Sequence, residues 1–349
     1  MQRFLPSMLR TTLLVAAGLF VSLPVSLPAL SQSFDFPVRG VGLSIGDSRD
    51  HKGLRLNFRD RRLRSVQGVN ATIWTPYNPM RGDVQGLALG LPATGAANIH
   101  GLGIGILGVG AEESITGVML AGLGGGAGES VRGIGIAGLG MGSGRDLSGI
   151  MVAGLGAGAG RDVTGILVAG LGAGAGGDVT GIVVAGIGGG AGGDFLGVSL
   201  SGVGSGSGGA LTGLHVGGIG VGAGGDATGI FFGGIGVGAG GELRGLAVAG
   251  VGVGAPSIRG IVVSGFAAGG EDVSGLFLAP AYFLVEEDGH MNGLSVSAFN
   301  RIRGTQRGVT IGILNVARNL RGVQIGLLNY AASNRRGLRW LPFFNTSFR

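Results

Sequence analysis

The sequence contains no cysteine, a single lysine and few aromatic residues. Its 349 residues include 82 glycines, and only 13% are charged and 6% aromatic. The absence of cysteine excludes disulfide bonds and attachment of a lipid to a cysteine. Because each glycine inside a helix costs about 1 kcal/mol relative to alanine, a chain this rich in glycine is not a conventional helical globule.

Long apolar runs of the kind that form membrane helices are also missing. A transmembrane helix needs about 20 mainly apolar residues. The longest uncharged stretch, Phe195 to Gly225, is long enough, but 13 of its 31 residues are glycine. The sequence therefore predicts no transmembrane helix.

Acidic residues are outnumbered by basic ones, and the formal net charge is +6. A basic surplus favours an anionic partner. The densest basic run, residues 55–64, contains five arginines, and we interpret it as a solvent-exposed edge. The expected partners are the outer membrane, other surface components or further copies of the chain, and nucleic acid is not expected.

Residues 1–31 have the pattern of a signal peptide. Arg3 and Arg10 supply positive charge, Leu13 to Val21 is apolar, and Ala29 and Ser31 are small residues at a cleavage site. We expect an exported chain that begins near Gln32, located at the cell surface, in the outer membrane or in the periplasm of a Gram-negative bacterium.

A glycine recurs every 16 residues through the centre of the chain. These marker glycines are Gly101, Gly117, Gly133, Gly149, Gly165, Gly181, Gly197, Gly213, Gly229 and Gly245. The regular repeats cover residues 101–260, and looser repeats with glycines from Gly40 and up to Gly337 cover 40–100 and 261–349. Residues 32–349 are therefore predicted to form one repeat domain.

Residue types within the repeat predict which side chains face inward. The first and third residues after each marker glycine are always apolar, as in Ile150 and Val152, whereas the residue between them varies freely. We therefore expect the restricted residues to point into a core, followed by Leu155, Ala157, Ala159 and Val163. The variable residue, which is His215 in one repeat, is expected on the surface. Glycine corners at Gly154, Gly170 and Gly186 would turn the chain.

Three short inward runs separated by glycine corners describe one turn of a β-solenoid, an all-β fold of stacked coils about 4.8 Å apart. The alternative is an antiparallel outer-membrane β-barrel with one strand per repeat, because a barrel strand needs about 9–11 residues and a turn. Against the barrel, neither face of the central repeats is polar enough to line an aqueous lumen.

The last repeats share a second motif. The segments 308–315 and 322–329 both follow the pattern G-h-x-h-G-h-h-N, where h is apolar, and residues 337–345 follow it more loosely. This motif resembles the surface-repeat family first known from leptospires. The resemblance covers residues 290–349 and implies an exported, surface or outer-membrane protein without enzymatic activity. Asn315, Asn329 and Asn345 would occupy one repeat position, either as a hydrogen-bonded ladder or as left-handed turn residues.

No constellation of side chains in the sequence supports catalysis, and no cofactor is expected. Carboxylates recur at one corner of the repeat, where stacked coils would bring them close enough to bridge a calcium ion. These calcium candidates, which we also interpret as solvated turn residues, are Asp146, Asp162, Asp178, Asp194, Asp226 and Glu242. The sequence predicts a non-enzymatic, structural or adhesive surface protein, with a channel or anchor as the alternative if the fold is a barrel.

Overall fold

The computed structural model describes residues 33–38 and 41–347. The predicted signal peptide and Gly40 lie outside these residues. The chain divides into two compact units, residues 1–158 and 159–349. Within the described residues, no helix has the length and hydropathy needed to span a bilayer.

Short strands make up the first unit, and its boundary with the second falls inside β12. The strands are β1 Phe34–Val38, β2 Val41–Ile45, β3 Asp50–Asn57, β4 Ser65–Thr72, β5 Asp83–Gly90, β6 Ala93–Gly105, β7 Gly108–Ala121, β8 Gly124–Ala127, β9 Ser130–Ala137, β10 Gly140–Ser143, β11 Asp146–Ala153 and β12 Gly156–Ala159.

The second unit continues the same alternation of longer and shorter strands. They are β13 Val163–Ala169, β14 Gly172–Ala175, β15 Val179–Ala185, β16 Gly188–Ala191, β17 Phe195–Ser201, β18 Gly204–Ser207, β19 Leu211–Gly217, β20 Gly220–Ala223, β21 Ala227–Gly233, β22 Gly236–Ala239, β23 Glu242–Ala249, β24 Gly252–Gly254, β25 Ser257–Ser264, β26 Ala267–Leu278, β27 Tyr282–Val296, β28 Phe299–Ala331 and β29 Trp340–Ser347, with a 3₁₀ turn at Arg336–Leu338.

Each unit is a β-solenoid in which equivalent residues of successive coils pair in parallel. In the first unit Gly117 pairs with Gly133, and Gly133 pairs with Gly149. In the second unit Gly213 pairs with Gly229 in the same way. The predicted solenoid is therefore confirmed, and the antiparallel alternative is wrong for these repeats. In the first coil the residue in the marker position is Gly42, which pairs with Gly53.

The first and last strands depart from the parallel pattern. Strand β1 runs antiparallel to β2, and β29 runs antiparallel to β28. Gly337 was expected to mark a further repeat, but it lies in the 3₁₀ turn that reverses the chain before β29. Antiparallel strands therefore cover sheet edges that would otherwise present unpaired backbone groups.

The predicted orientation of the main strand is wrong. Met151, at the freely varying position, is 1% exposed, whereas its restricted neighbours Ile150 and Val152 are 43% and 37% exposed. Leu155 also faces outward, and Ala157, Ala159 and Val163 face inward as expected. The core of each coil is thus built from the variable residue, from the apolar residue two before the marker glycine, such as Val163, and from small residues, whereas the uniform aliphatic residues lie on the outside.

Size compensation across the narrow core explains why an inward position varies. Where the variable residue is large, as at Met119, the facing residue is Gly125, and a Cβ there would lie 2.7 Å from the Met119 Sδ. Where it is Gly135, the facing residue is Met141, whose Sδ would lie 2.6 Å from an added Cβ. In these two coils close packing thus exchanges volume between the facing residues, whereas Phe231 and Val237 at the equivalent positions are both large and buried, so the exchange accounts for part of the variation.

Two corners of the coil depend on glycine for different reasons. The marker glycines have positive φ, for example 139° at Gly229, which other residues rarely adopt. At the next corner a Cβ on Gly154 or Gly186 would approach a carbonyl oxygen of the preceding coil to 1.9 and 2.0 Å, and Gly170 occupies the same corner. The latter corner was predicted, but its glycines are needed for close approach of coils and not for an unusual φ.

Glycines seven residues after the marker form a bare outer surface, although neither a positive φ nor close backbone approach requires glycine there. At Gly220 and Gly236 the nearest atom to an added Cβ is 3.4 and 3.7 Å away, and φ lies outside the positive range. The structure requires glycine at the corners but does not explain it on this outer surface.

We expect alanine to distinguish the two kinds of glycine in the second unit. Gly229→Ala forces a φ of 139° on alanine and places its Cβ 2.0 Å from a carbonyl oxygen, so it should lower the free energy of unfolding by about 1–3 kcal/mol or more. Gly236→Ala should be neutral or stabilising by up to about 1 kcal/mol, because alanine restricts the unfolded chain. Denaturant unfolding of the two variants measures the difference, and equal losses would contradict it.

Candidate functional site

The outer surface of each unit carries columns of exposed aliphatic side chains, which we call the aliphatic face. It is formed by the residues one, three and six positions after the marker glycine. The column at position six is the most exposed, at 40–58%. Its members are Leu107, Leu123, Leu139 and Leu155 in the first unit and Leu171, Ile187, Val203, Ile219, Ile235, Val251 and Phe266 in the second.

Backbone groups beneath this column are hydrogen-bonded from coil to coil. The amide of Ile187 donates to the carbonyl of Leu171 at 2.8 Å, and the amide of Val203 donates to Ile187 at 2.8 Å. Ile219 and Ile235 continue this series, with distances of 2.7 and 2.6 Å. Because these polar groups are already paired, burial of the aliphatic face in an apolar layer leaves them satisfied.

The recurring carboxylates bind backbone amides of the next coil. The Asp162 Oδ1 accepts a hydrogen bond from the amide of Asp178 at 3.0 Å, and Asp178 accepts one from Asp194 at 2.8 Å. Asp194 likewise accepts a hydrogen bond from the amide of Ala210, so a coil that lacks the carboxylate still donates its amide to the preceding coil. This ladder gives the repeated aspartate a structural role at its corner.

The last members of the carboxylate series are also engaged. Asp226 accepts a hydrogen bond from the amide of Glu242 at 2.7 Å. Glu242 lies 2.6 Å from Arg244 and 2.9 Å from Arg259, and the hydrogen bond from Arg244 holds the pKa of Glu242 below its usual value. Among the described residues, no three acidic or histidine side chains are grouped so that they could hold a metal ion. Nothing in this geometry favours calcium binding by these carboxylates over their role as hydrogen-bond acceptors between coils.

The asparagine position forms a buried ladder near the end of the second unit. The Asn300 Nδ2 donates to the Asn315 Oδ1 at 2.8 Å, and the Asn315 Nδ2 donates to the Asn329 Oδ1 at 2.7 Å. The ladder interpretation is thus correct for Asn315 and Asn329. Asn345 does not continue it, because β29 is antiparallel, and its Oδ1 accepts from Asn334 instead. Asn300 was missed because its repeat lacks the full motif.

His215 was expected on the surface, but its side chain is fully buried. It packs between Phe195 and Phe231, with ring centroids 4.8 and 5.9 Å away. Its Nε2 donates to the carbonyl of Thr212 at 3.2 Å, and the buried Nδ1 has no partner among the described residues. Burial lowers the pKa of His215.

The arginine run also contains a buried residue where an exposed edge was expected. Arg55 occupies the same inward position as His215 and is fully buried. Its guanidinium contacts Asp60, donates to the Asn70 Oδ1 at 2.6 Å and lies 2.9 Å from Asp47. Asp60 is only 5% exposed and also accepts from Thr72 at 2.6 Å. This cluster replaces an apolar core in the first coils, and each buried charge is paired as burial requires.

The comparisons with other proteins give no further guide to function. The chain matches no protein-family model, no curated protein and no solved structure at the significance required of a match. The resemblance of residues 290–349 to leptospiral-type surface repeats therefore stays a prediction.

Acid is expected to destabilise the second unit through His215. The unfolded chain protonates this histidine near pH 6.5, whereas the folded chain does so only at lower pH, so protons favour unfolding below about pH 6.5. His215→Leu should remove part of this dependence, because Leu167 fills the same position in an earlier coil. His100→Gln, at an exposed residue, should retain it. Melting temperatures between pH 7 and pH 5 test this, and identical pH slopes for the three proteins would contradict it.

Proposed function

We propose that this chain is an exported, non-enzymatic repeat protein that serves as a structural or adhesive element at the bacterial cell surface, attached to lipid by its aliphatic face. The single observation that carries the proposal is the column of half-exposed aliphatic side chains repeated on the outside of successive coils. Soluble monomers rarely expose apolar patches larger than a few hundred Å². An aliphatic residue retained outside the core in every coil points to an apolar partner.

Lipid suits this surface better than a second copy of the chain does. The formal charge of +6, which stays positive without Arg3 and Arg10 of the predicted leader, makes copies repel one another and attracts the chain to an anionic membrane. The paired backbone beneath the aliphatic face allows it to lie in an apolar layer without unsatisfied polar groups. Transfer of a half-exposed isoleucine contributes about 1 kcal/mol, so several coils acting together supply useful affinity. The channel or anchor considered as an alternative depends on an antiparallel arrangement, which the parallel pairing replaces.

Vesicle binding tests the aliphatic face. Substituting the exposed residues Ile182, Ile187 and Ile235 by threonine keeps β-branched side chains but removes apolar area. We expect the triple variant to bind vesicles of phosphatidylcholine and phosphatidylglycerol at least about tenfold more weakly, because a loss of 1.4 kcal/mol is a factor of ten. Flotation of protein with vesicles on a density gradient gives the affinity.

A matched control changes three exposed polar residues of the same unit. Thr164→Asn, Thr180→Asn and Thr228→Asn alter exposed residues on the other side of the marker glycine and remove no aliphatic side chain of that face. This control should bind as the unaltered chain does. Failure of the unaltered chain to bind either neutral or anionic vesicles would overturn lipid attachment.

Export requires its own measurement, because it rests on the sequence of residues 1–31. Expression of the full chain in a Gram-negative host should give a shortened product that begins near Gln32 and sediments with the outer membrane. Arg3→Glu with Arg10→Glu reverses the charge of the leader, which should keep the chain unprocessed in the cytoplasm. Amino-terminal sequencing of each fraction decides the matter, and an intact Met1 in the envelope fraction would count against cleavage.

A further inference from the structure

Two long loops in the first unit carry an unusual group of exposed side chains. Residues 58–64 follow β3 and residues 73–82 follow β4, and together we call them the loop pair. In the regular coils the same interval holds two corners and a short strand, as at residues 154–162, whereas neither loop contains a strand. The two loops come from adjacent coils and lie side by side, because the amide of Tyr77 donates to the carbonyl of Asp60 at 3.0 Å.

Asp60 anchors the first loop from within. Its buried carboxylate contacts Arg55 and accepts hydrogen bonds from Asn70 at 3.1 Å and Thr72 at 2.6 Å. Its neighbours in the chain contact the second loop instead, because the Arg59 Nε donates to the carbonyl of Thr75 at 2.8 Å and Arg61 donates to the Tyr77 hydroxyl. The buried cluster thus fixes the backbone from which both guanidinium groups project.

Both arginines meet on a single tyrosine ring. The Arg59 guanidinium lies 3.6 Å from the centroid of the Tyr77 ring and that of Arg61 lies 4.6 Å from it. Arg61 also donates to the Tyr77 hydroxyl at 2.6 Å, and this hydrogen bond lowers the pKa of Tyr77. Among the described residues, neither guanidinium lies within ion-pair distance of a carboxylate. Two like charges fixed this close together attract an anion, and the planar guanidinium matches a phosphate group.

An apolar pair lies on the same loops. Phe58 and Trp74 are 60% and 47% exposed, and their rings stack with centroids 6.3 Å apart and an interplanar angle of 3°. Trp74 lies six residues after Gly68, the position that Leu107 and Leu123 fill in later coils of this unit, and so continues that column of the aliphatic face, whereas Phe58 lies five residues after Gly53 and flanks the column. Trp and Phe with arginine beside them are typical of surfaces that sit at the boundary between headgroups and acyl chains.

We propose that the loop pair binds the phosphate-bearing headgroups of an anionic lipid surface through Arg59 and Arg61, with Phe58 and Trp74 entering the apolar layer. The inference rests on the proposed attachment to lipid and adds the headgroup chemistry. The crevice lined by Asp60, Tyr77 and Met80 has no room for a small molecule, so the ligand lies on the loops. A nucleic acid also carries phosphates, but it offers no apolar layer for the stacked, exposed rings of Phe58 and Trp74 or for the aliphatic column that Trp74 continues.

Vesicle composition and charge substitutions test the site on the full chain. We expect Arg59→Gln with Arg61→Gln to weaken binding to phosphatidylcholine vesicles containing phosphatidylglycerol by at least about tenfold, since each arginine near an anionic surface contributes about 1 kcal/mol. Binding to phosphatidylcholine alone should not change. The control Arg132→Gln with Arg321→Gln removes the same charge at exposed strand residues and should lose less than about threefold.

Tryptophan fluorescence reports insertion directly. The chain contains two tryptophans, so Trp340→Phe leaves Trp74 as the only emitter. Its emission should shift to shorter wavelength on mixing with anionic vesicles, and the Arg59→Gln, Arg61→Gln substitutions in this background should reduce the shift at equal lipid concentration. Unfolding midpoints close to that of the unaltered chain show that the loop variants are folded.

The outcomes separate this inference from the proposed function. Vesicle binding that is insensitive to phosphatidylglycerol and to the two arginines overturns the headgroup site and leaves attachment by the aliphatic face intact. Absence of binding to both kinds of vesicle overturns both. Equal or tighter binding of a single-stranded oligonucleotide that is lost on Arg59→Gln, Arg61→Gln would assign the loop pair to nucleic acid and overturn the lipid interpretation.

Discussion

Parallel hydrogen bonding between equivalent residues of successive coils is the constraint on which the structure depends. It brings each coil so close to the next that an added Cβ at Gly229 would lie 2.0 Å from the carbonyl oxygen of Gly213. No side chain fits there, so the corners are glycine in coil after coil. The same register places identical residues above one another, and any side chain that suits its neighbour therefore repeats as a column. The aliphatic face, the carboxylate ladder and the asparagine ladder are all consequences of that stacking.

A coil this slender has little interior. Residues of varied size fill it by complementing one another, as Gly135 and Met141 do. Its polar residues are paired in the Arg55 cluster and the asparagine ladder, whereas several other buried polar atoms, among them the Nδ1 of His215 and the hydroxyls of Ser143 and Ser264, have no hydrogen-bond partner among the described residues. Because side chains alternate along the strand and the residue between them points inward, the aliphatic residues one and three positions after each marker glycine lie on the outside, where they are available to a partner.

The proposed attachment follows from the combination of this exposed column with positive charge. Aliphatic side chains alone indicate an apolar partner without naming it. The basic balance of the chain and the two guanidinium groups on Tyr77 add an anionic component. A membrane offers both features in one surface, with phosphates above acyl chains, and the loop pair presents arginine and aromatic side chains in matching proximity.

The sequence by itself determined the length of the coil and its glycine corners, because a period of 16 residues is visible in the chain and glycine readily adopts positive φ and permits close backbone approach. It also indicated the asparagine ladder, although not the reversal that removes Asn345 from it. Which side of the strand faces inward was decided only by the tertiary structure. Alternation of residue types along a strand shows that its two faces differ, but not which face is buried. The more variable face is the outer one only when packing constrains each core residue separately. Here facing core residues such as Met119 and Gly125 compensate for each other in size, so the inner face also varies. The pairing of Arg59 and Arg61 with Tyr77 likewise exists only because adjacent coils bring together loops that are separate in the chain.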